Sequence, residues 1–311
     1  MFPRVFLGLV THNEEGYIEE AVRSLLSQSY PTFLLAIVDD ASTDATGHIC
    51  KSLAATDPRV RYFRNAERLG LAGNYREALA KRDVGCEFFA WIAGHDRYHP
   101  QWLEALLNAM DDHPEAVLAY SDTLRIGPDG GLLPPPQKPW HYLDTRGLSP
   151  SERVSSAVDA KGFGTMIYGL LRTDAIQYAG GMPQLLFPDV VFLWRLSCYG
   201  DFIFVPKPYY FRRETKGRLN RRALIARQRR NLFVRPNLLQ RLPPAIAITY
   251  FFLRSPLTGL PSALAERELA IRRLFARRFL LKSLRKRRLW RYLNSPFPTL
   301  ARRFERLMRN G

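Results

Sequence analysis

The sequence is poor in cysteine and in long apolar runs. Its 311 residues include three cysteines, Cys50, Cys86 and Cys198, an odd number too widely spaced for a disulfide framework or a clustered zinc site. The longest apolar run, 245–253, is too short to cross a bilayer. Residues 1–10 lack the basic and apolar regions of a cleavable signal. These absences argue against an ordinary membrane-spanning protein and predict a location in a reducing cytoplasm.

Glycine-rich phosphate-binding turns are lacking as well. The first predicted strand, 5–10, runs into Thr11-His12-Asn13-Glu14, so neither the dinucleotide fingerprint nor the phosphate loop follows it. The absence weakens dehydrogenase and P-loop interpretations. It also weakens a nucleotidyltransferase interpretation, because those enzymes usually begin with a glycine-rich turn.

Acidic residues are scarce in the last third of the chain. The net charge of the chain is +17. From Arg218 onward there are 24 lysines and arginines and 3 acidic residues, whereas residues 1–217 contain 22 lysines and arginines and 26 acidic residues. A cationic, apolar-striped helix over 267–291 would suit the surface of an anionic bilayer. We therefore predict that the tail, 217–311, contacts the inner face of the cell membrane.

Two alternatives for the tail remain open. A segment of this charge attracts any polyanion, nucleic acid included, but no recognisable nucleic-acid module accompanies it. The apolar stripe could instead pack on the catalytic domain or on another subunit. Membrane contact is favoured because an apolar stretch, 245–253, precedes the charges.

Strand-like and helical patterns alternate along the first 120 residues. Apolar runs predict strands at 5–10, 33–38, 60–63, 88–92 and 116–120, with helices over 14–28, 42–54, 73–81 and 100–110 between them. This order predicts an α/β fold with a mostly parallel, doubly wound sheet. A Gly- and Pro-rich stretch from Ile126 to Pro139 is predicted to separate two halves, 1–125 and 126–216, of one catalytic domain.

Polar residues at predicted strand ends are the candidate site residues, because ligands of such sheets bind at the carboxyl ends of strands. Asp39-Asp40 follows the second strand, and His95-Asp96 follows the fourth. Asp189 begins an apolar helix. Each carboxylate also has an ordinary structural explanation, as a turn or helix-cap residue.

Several segments, taken in order, resemble the family 2 glycosyltransferases of GT-A fold. The similarity extends over about residues 4–213. It is carried by Val10-Thr-His-Asn-Glu14, Ser24-Leu-Leu-Ser-Gln-Ser-Tyr-Pro31, Val38-Asp-Asp-Ala-Ser-Thr-Asp-Ala-Thr46, Gly70-Leu-Ala-Gly-Asn74, His95-Asp96 with Pro100 and Leu103, and Asp189 with Trp194-Arg195-Leu196.

The resemblance implies an inverting transferase with a nucleotide-sugar donor, UDP- or dTDP-linked, and a lipid-linked or cell-surface glycan as acceptor. An alternative is a catalytically impaired homologue that binds nucleotide sugars or glycan as an assembly partner. The implied donor-binding residues are Val10, His12, Glu14 and Asp39 at the nucleoside, and Asp96, Arg212 and Arg213 at the diphosphate.

The resemblance also implies a divalent metal and a catalytic base. The metal-binding Asp-x-Asp segment of the family falls on Ala93-Gly94-His95, followed by Asp96, so the usual paired carboxylates are missing. Imidazole binds Mn²⁺, whereas Mg²⁺ prefers oxygen. We predict Mn²⁺, with Mg²⁺ as the alternative, bound by His95 and Asp96. Asp189 stands where the family has its base, after Pro188 in place of a glutamate.

Overall fold

The computed structural model describes residues 3–135, 142–160 and 163–214, together with Ala226, Leu232, Ile248 and Phe251. The chain divides into two compact units, Met1–Arg241 and Leu242–Gly311. The predicted helix over 267–291 lies outside the described residues. So does the rest of the basic tail, apart from the four single residues just named.

Eight strands and seven α-helices are present in the described ranges. The strands are β1 (Val5–Thr11), β2 (Phe33–Asp39), β3 (Val60–Arg64), β4 (Phe88–Ala93), β5 (Arg97–Tyr98), β6 (Ala116–Ile126), β7 (Leu170–Arg172) and β8 (Asp201–Arg213). The helices are α1 (Ile18–Leu26), α2 (Thr46–Thr56), α3 (Leu71–Ala80), α4 (Trp102–Asp112), α5 (Pro150–Asp159), α6 (Thr173–Ala179) and α7 (Pro188–Leu196), and a 3₁₀ helix covers Phe163–Tyr168.

One sheet contains all of these strands, in the order β3-β2-β1-β4-β7-β6-β8-β5. Strands β1 to β4 are mutually parallel, and β6 is parallel to β8. The predicted α/β class with a mostly parallel sheet is therefore confirmed. The sequence did not predict β7, which lies antiparallel between β4 and β6, because three residues are too few to show a periodic pattern.

The centre of the sheet is buried on both faces. Every residue of β1 and β4 is buried, which explains why these strands appear in the sequence as continuous apolar runs and not as alternating ones. On one side, aromatic rings pack edge to face, with Trp91 of β4 contacting Phe89 and Phe192. The core therefore fixes the level at which β1, β2 and β4 end, and with it the position of the loops that follow them.

A long irregular pair, β6 and β8, forms the other half of the sheet. Ser121 pairs with Val205 and Thr123 with Tyr210, so four residues of β8 stand opposite one residue of β6. Such bulges redirect a strand and are frequent beside active sites. Beyond the bulge, Tyr210 also pairs with Tyr98 of β5, which brings the end of β8 beside the end of β4.

Helix α5 has a clear start. Ser149 Oγ accepts a hydrogen bond from the backbone N–H of Glu152, the Glu152 carboxylate accepts one from the backbone N–H of Ser149, and Pro150 occupies the first turn. This is the capping-box arrangement. Within the described ranges, no helix is both long enough and apolar enough to span a membrane.

Gly169 tests the close packing between the 3₁₀ helix and β6. A Cβ atom at Gly169 would overlap the carbonyl oxygen of Ala119 and the side chain of Tyr120. We expect Gly169→Ala to lower the free energy of unfolding by about 1–3 kcal/mol, the usual cost of overpacking. Urea denaturation followed by tryptophan fluorescence measures this.

Gly16 provides the matched control, because a Cβ atom there would have no neighbour within 4 Å. Gly16→Ala is expected to leave stability unchanged or to raise it by about 0.4–1 kcal/mol. Equal effects of the two substitutions would contradict the packing described here.

Candidate active site

The loops after β1 and β2 are joined by hydrogen bonds between backbone and side chains. The backbone N–H of Asn13 donates to Ser42 Oγ at 2.9 Å, and that of Glu14 donates to Thr46 Oγ1 at 2.8 Å. Asn13 and Ala41 both have a φ of 55°, a left-handed conformation that costs free energy unless its surroundings hold it. The two loops therefore form one fixed wall of the site.

Asp39 lies fully buried at the end of β2. Its Oδ1 accepts from the backbone N–H of Ser42, and its Oδ2 accepts from Tyr62 Oη and Arg64 Nη1, each at 2.8 Å. Burial and the bond to Asp39 raise the pKa of Tyr62 to about 12. Three donors thus fix the Asp39 carboxylate, and its contact with a nucleoside stays a prediction.

The neighbouring Asp40 has a different, structural task. Its carboxylate accepts from the backbone N–H groups of Leu69 and Gly70 at 2.7 and 2.9 Å. Asn74 donates to the carbonyl of Val38 at 2.9 Å. The segment Gly70–Asn74 is therefore held against the end of β2 by Asp40, which explains why both aspartates follow the strand.

Val10 and His12 lie on either side of the end of β1. Val10 is buried and its carbonyl accepts from the N–H of Gly94 at 3.1 Å. His12 is partly exposed, with Nδ1 2.8 Å from the carbonyl oxygen of Asp40. Both residues are thus at the sheet edge where donor binding is expected, and their contacts with a donor remain predictions.

His95 follows β4 and forms a close pair with Glu14. His95 Nδ1 lies 2.5 Å from Glu14 Oε1, while Thr11 Oγ1 donates to Glu14 Oε2 at 2.9 Å. A side chain at Gly94 would overlap the Glu14 carboxylate. The glycine between Ala93 and His95 therefore makes room for the acid that holds the imidazole.

Opposing influences act on the His95 imidazole. Burial lowers its pKa, but the hydrogen bond to Glu14 and the negative charges of Asp96 and Glu14 outweigh burial and raise the pKa from 6.5 to about 9. The positive charge of Arg212 acts in the lowering direction. At neutral pH the ring is therefore protonated when only these protein groups surround it.

Asp96 is buried and bonded to the end of β8. Its Oδ1 accepts from the backbone N–H of Arg213 at 2.7 Å, and its Oδ2 accepts a short hydrogen bond from Tyr210 Oη. Burial raises the pKa of Asp96, against the lowering effect of His95. Asp96 therefore links the end of β4 to the end of β8. Because both of its oxygens accept hydrogen bonds from the protein, His95 is the better placed of the two predicted metal ligands.

The two predicted diphosphate-binding arginines differ in their surroundings. Arg213 is 4% exposed, and its guanidinium donates to the carbonyls of His95, Gly127 and Pro128 and pairs with Glu20. Its donors are therefore committed to the protein, and its contact with the diphosphate of a donor stays a prediction.

Arg212 is partly exposed. Its positive charge lowers the pKa of His95, Asp96 and Asp189 alike. Among the described residues, no carboxylate forms an ion pair with Arg212. Arg212 is therefore the guanidinium that remains available to an anionic ligand.

Asp189 occupies the first turn of α7, after Phe187 with a φ of 58° and Pro188. A side chain at Gly164 would overlap the Asp189 carboxylate, so the 3₁₀ helix forms a close wall beside it. Burial raises the pKa of Asp189, and backbone hydrogen bonds and Arg212 oppose that rise. A carboxylate of raised pKa suits a general base.

Tyrosine side chains that no sequence motif marks link the two ends of the site. Tyr75 is buried and Tyr168 is partly buried, and their hydroxyl oxygens lie 2.9 Å apart. Burial raises the pKa of both, and the charge of Asp189 adds to that rise. The Tyr168 ring lies 5.5 Å from that of Tyr210, which bonds Asp96. Tyr75 stands at an ordinary core position of α3, so no local signal marks it.

Within the ranges that the structure describes, no three His, Cys, Asp or Glu side chains converge on a point suited to a metal ion. His95 still offers one ring nitrogen, Nε2, which is not bonded to Glu14 and lies 3.8 Å from Asp96 Oδ1. A carboxylate bonded to the far nitrogen of an imidazole is the usual support of a metal-binding histidine. The described residues therefore offer a metal ion one protein ligand, Nε2 of His95.

Comparison with known proteins decides the family. A profile described as "Glycosyl transferase family 2" matches residues 7–160, the part that holds β1 to β6. The chain belongs to glycosyl transferase family 2. A putative teichuronic acid biosynthesis glycosyltransferase, TuaG of Bacillus subtilis, is 33% identical to this family member over 108 residues, 35% of the chain and 42% of the relative.

A second relative is also described as a glycosyltransferase. An uncharacterized glycosyltransferase of Haemophilus influenzae is 26% identical over 127 residues, which are 39% of the chain and 38% of the relative. The alignments with these two relatives therefore cover less than half of their length.

The similarity to solved structures shows the fold. Residues 1–349 of TarS of S. aureus in complex with UDP-GlcNAc match with a TM-score of 0.57 at 17% identity, covering 86% of this chain and 70% of that fragment. A mannosyltransferase of Pyrobaculum calidifontis, in complex with GDP-Man and Mn²⁺, matches with a TM-score of 0.54 at 16% identity, covering 96% and 83%. The expected GT-A type of sheet is confirmed.

The raised pKa of His95 predicts a pH-dependent contribution to stability. Because the pKa of about 9 in the folded protein exceeds the ordinary 6.5, the contribution is full below pH 6.5 and is lost as the pH rises through 9. The difference in free energy of unfolding between wild type and His95→Gln should therefore be largest near pH 6 and shrink toward pH 9.5. Urea titrations at several pH values measure it, and a difference independent of pH would contradict the Glu14–His95 pair.

Proposed function

We propose that this protein is an inverting glycosyltransferase that moves a sugar from a nucleotide-sugar donor to a hydroxyl group of a glycan acceptor. The observation that carries the proposal is the placement of polar groups at the ends of the elements: His95 is held by Glu14 after β4, Asp189 lies in the first turn of α7, and the charge of Arg212 acts on both. A cation between a donor-side imidazole and a carboxylate of raised pKa is what displacement of a nucleoside diphosphate requires.

The donor side is assigned to the ends of β1, β2 and β4. Val10, His12 and Asp39 stand at these strand ends, where ligands of such sheets bind. TarS binds UDP-GlcNAc, and the mannosyltransferase binds GDP-Man. For this chain we propose a UDP- or dTDP-linked sugar, with the nucleoside beside Asp39 and the diphosphate beside Arg212 and His95.

Asp189 is proposed as the catalytic base. Its carboxylate takes the proton of the acceptor hydroxyl while that oxygen bonds to the anomeric carbon. The bond from that carbon to the diphosphate breaks with its electrons on the leaving oxygen, so the configuration inverts. Arg212 stabilises the charge that develops on the diphosphate.

A divalent metal, Mn²⁺ in the first place and Mg²⁺ as the alternative, is proposed to bind His95 through Nε2. When bound, such an ion withdraws charge from the diphosphate as a Lewis acid. The mannosyltransferase neighbour contains Mn²⁺ with its donor. Asp96 contributes indirectly, because its bonds to Tyr210 and Arg213 fix the turn that carries His95.

The acceptor is proposed to be a lipid-linked or cell-surface glycan. The relative from Bacillus subtilis is named for teichuronic acid biosynthesis. The charge of the tail, 217–311, supports peripheral contact with the anionic inner face of the cell membrane, where lipid-linked intermediates are accessible.

A second candidate is a catalytically impaired homologue that only binds nucleotide sugars. The loss of a carboxylate at Ala93 and the engagement of both Asp96 oxygens favour it. Product analysis separates the candidates, since only a transferase releases nucleoside diphosphate.

The proposed function is tested by incubating the full chain with a panel of UDP-, dTDP- and GDP-sugars, Mn²⁺ and glycan acceptors. We expect nucleoside diphosphate release with one donor. Asp189→Asn should lower kcat by about 10²–10⁴, the usual contribution of a general base, while the dissociation constant of the donor changes little. Binding without release would favour the impaired homologue, and undiminished turnover by Asp189→Asn would remove this residue from the mechanism.

The two arginines should respond differently to removal. Arg212→Ala is expected to weaken nucleoside diphosphate binding about 10- to 100-fold, since a charge-assisted bond contributes about 1.5–3 kcal/mol, without loss of thermal stability. Arg213→Ala should mainly lower the melting temperature, because it leaves buried carbonyls without donors. Calorimetric titration with UDP, dTDP and GDP, together with thermal melts, measures both effects, and the reverse pattern would contradict the assignment.

A further inference from the structure

We propose that Glu14 is a positioning residue that acts through His95: it fixes the imidazole so that Nε2 faces a divalent metal ion shared with the donor diphosphate. The inference rests on the proposed function and deepens it. It gives Glu14 a task other than the nucleoside contact that the family resemblance implies.

The hydrogen bond fixes the tautomer of His95. An ionised carboxylate only accepts hydrogen bonds, so the 2.5 Å contact between Glu14 Oε1 and His95 Nδ1 requires the proton on Nδ1. Loss of a proton from the other nitrogen would leave a lone pair on Nε2 that a divalent ion could accept. Such an ion would complete the order of carboxylate, imidazole and metal that metal sites commonly show.

Glu14 itself is rigidly held. Its Oε2 accepts from Thr11 Oγ1 at 2.9 Å, and its backbone N–H donates to Thr46 Oγ1 at 2.8 Å. The missing side chain of Gly94 leaves the space that the carboxylate fills. Two hydrogen bonds, one at the side chain and one at the backbone, therefore hold Glu14 where it orients the ring.

Both Glu14 oxygens are occupied, which disfavours a direct contact with the nucleoside. Oε1 meets His95 and Oε2 meets Thr11. Asp96, the other carboxylate near the ring, is bonded to Tyr210 and to the backbone of Arg213. Glu14 is thus the acid through which the protein controls the imidazole.

The ligand chemistry follows from the single imidazole. Imidazole is a common ligand of divalent transition ions, and Mn²⁺ can combine one imidazole with the oxygens of a diphosphate, whereas Mg²⁺ demands oxygen ligands in near-ideal octahedral geometry. The class of ligand is therefore a complex of a transition-series divalent ion with a nucleoside diphosphate.

The experiment measures Mn²⁺ binding to the full chain by electron paramagnetic resonance, with UDP, dTDP or GDP present in turn and no transfer required. Glu14→Gln keeps the shape and removes the charge, and it should weaken Mn²⁺ binding about 10- to 100-fold, the usual effect of removing such a support. Thr11→Val, which removes one anchor of Glu14, should weaken it less. Glu19→Gln, in an exposed pair with Arg23 on α1, is the matched control and should change nothing.

The outcomes separate the inference from the proposed function. Tight Mn²⁺ binding that falls in Glu14→Gln, in a protein that releases no sugar, would support the inference and contradict transfer. Unchanged Mn²⁺ affinity in both Glu14→Gln and Thr11→Val would overturn the inference even if transfer were observed. The inference would also be overturned if the wild type bound nucleoside diphosphate with the same affinity in the presence and absence of Mn²⁺.

Discussion

The buried carboxylate of Asp96 is the constraint on which the site depends. A charge removed from water is costly unless donors surround it, and the donors here are Tyr210 and the backbone of Arg213. Satisfying Asp96 therefore brings the end of β8 to the end of β4. The Arg213 side chain then holds the carbonyl of His95 and the loop at 127–128, which leaves Arg212 beside the imidazole.

Acidic residues that look alike in the sequence have separate tasks in the structure. Asp40 holds the segment that begins at Gly70, Asp39 is fixed by Tyr62 and Arg64, and Glu14 bonds His95. The difference arises from which donors the fold brings near each carboxylate. A change of one carboxylate for another at these positions would therefore not be conservative.

Tyrosine packing extends from the Asp189 end of the site to Asp96. The hydroxyl groups of Tyr75 and Tyr168 form a pair, and the Tyr168 ring lies beside that of Tyr210, which donates to Asp96. Because Tyr75 and Tyr210 are buried and Tyr168 is partly buried, the volumes of these side chains help to set the spacing of the two ends. A close-packed set of rings of this kind resists rearrangement.

The sequence alone determined the class of fold, the order of the first strands and the residues at their ends. These follow from local apolar periodicity and from motifs that lie within a few residues of one another, such as Val38–Thr46. Only the tertiary structure decided that β7 separates β4 from β6 and that Arg213 is buried while Arg212 is partly exposed. It also decided that Glu14 is hydrogen-bonded to His95. The physical reason is that hydrogen bonds and burial between residues 81 or more positions apart leave no periodic trace in the sequence.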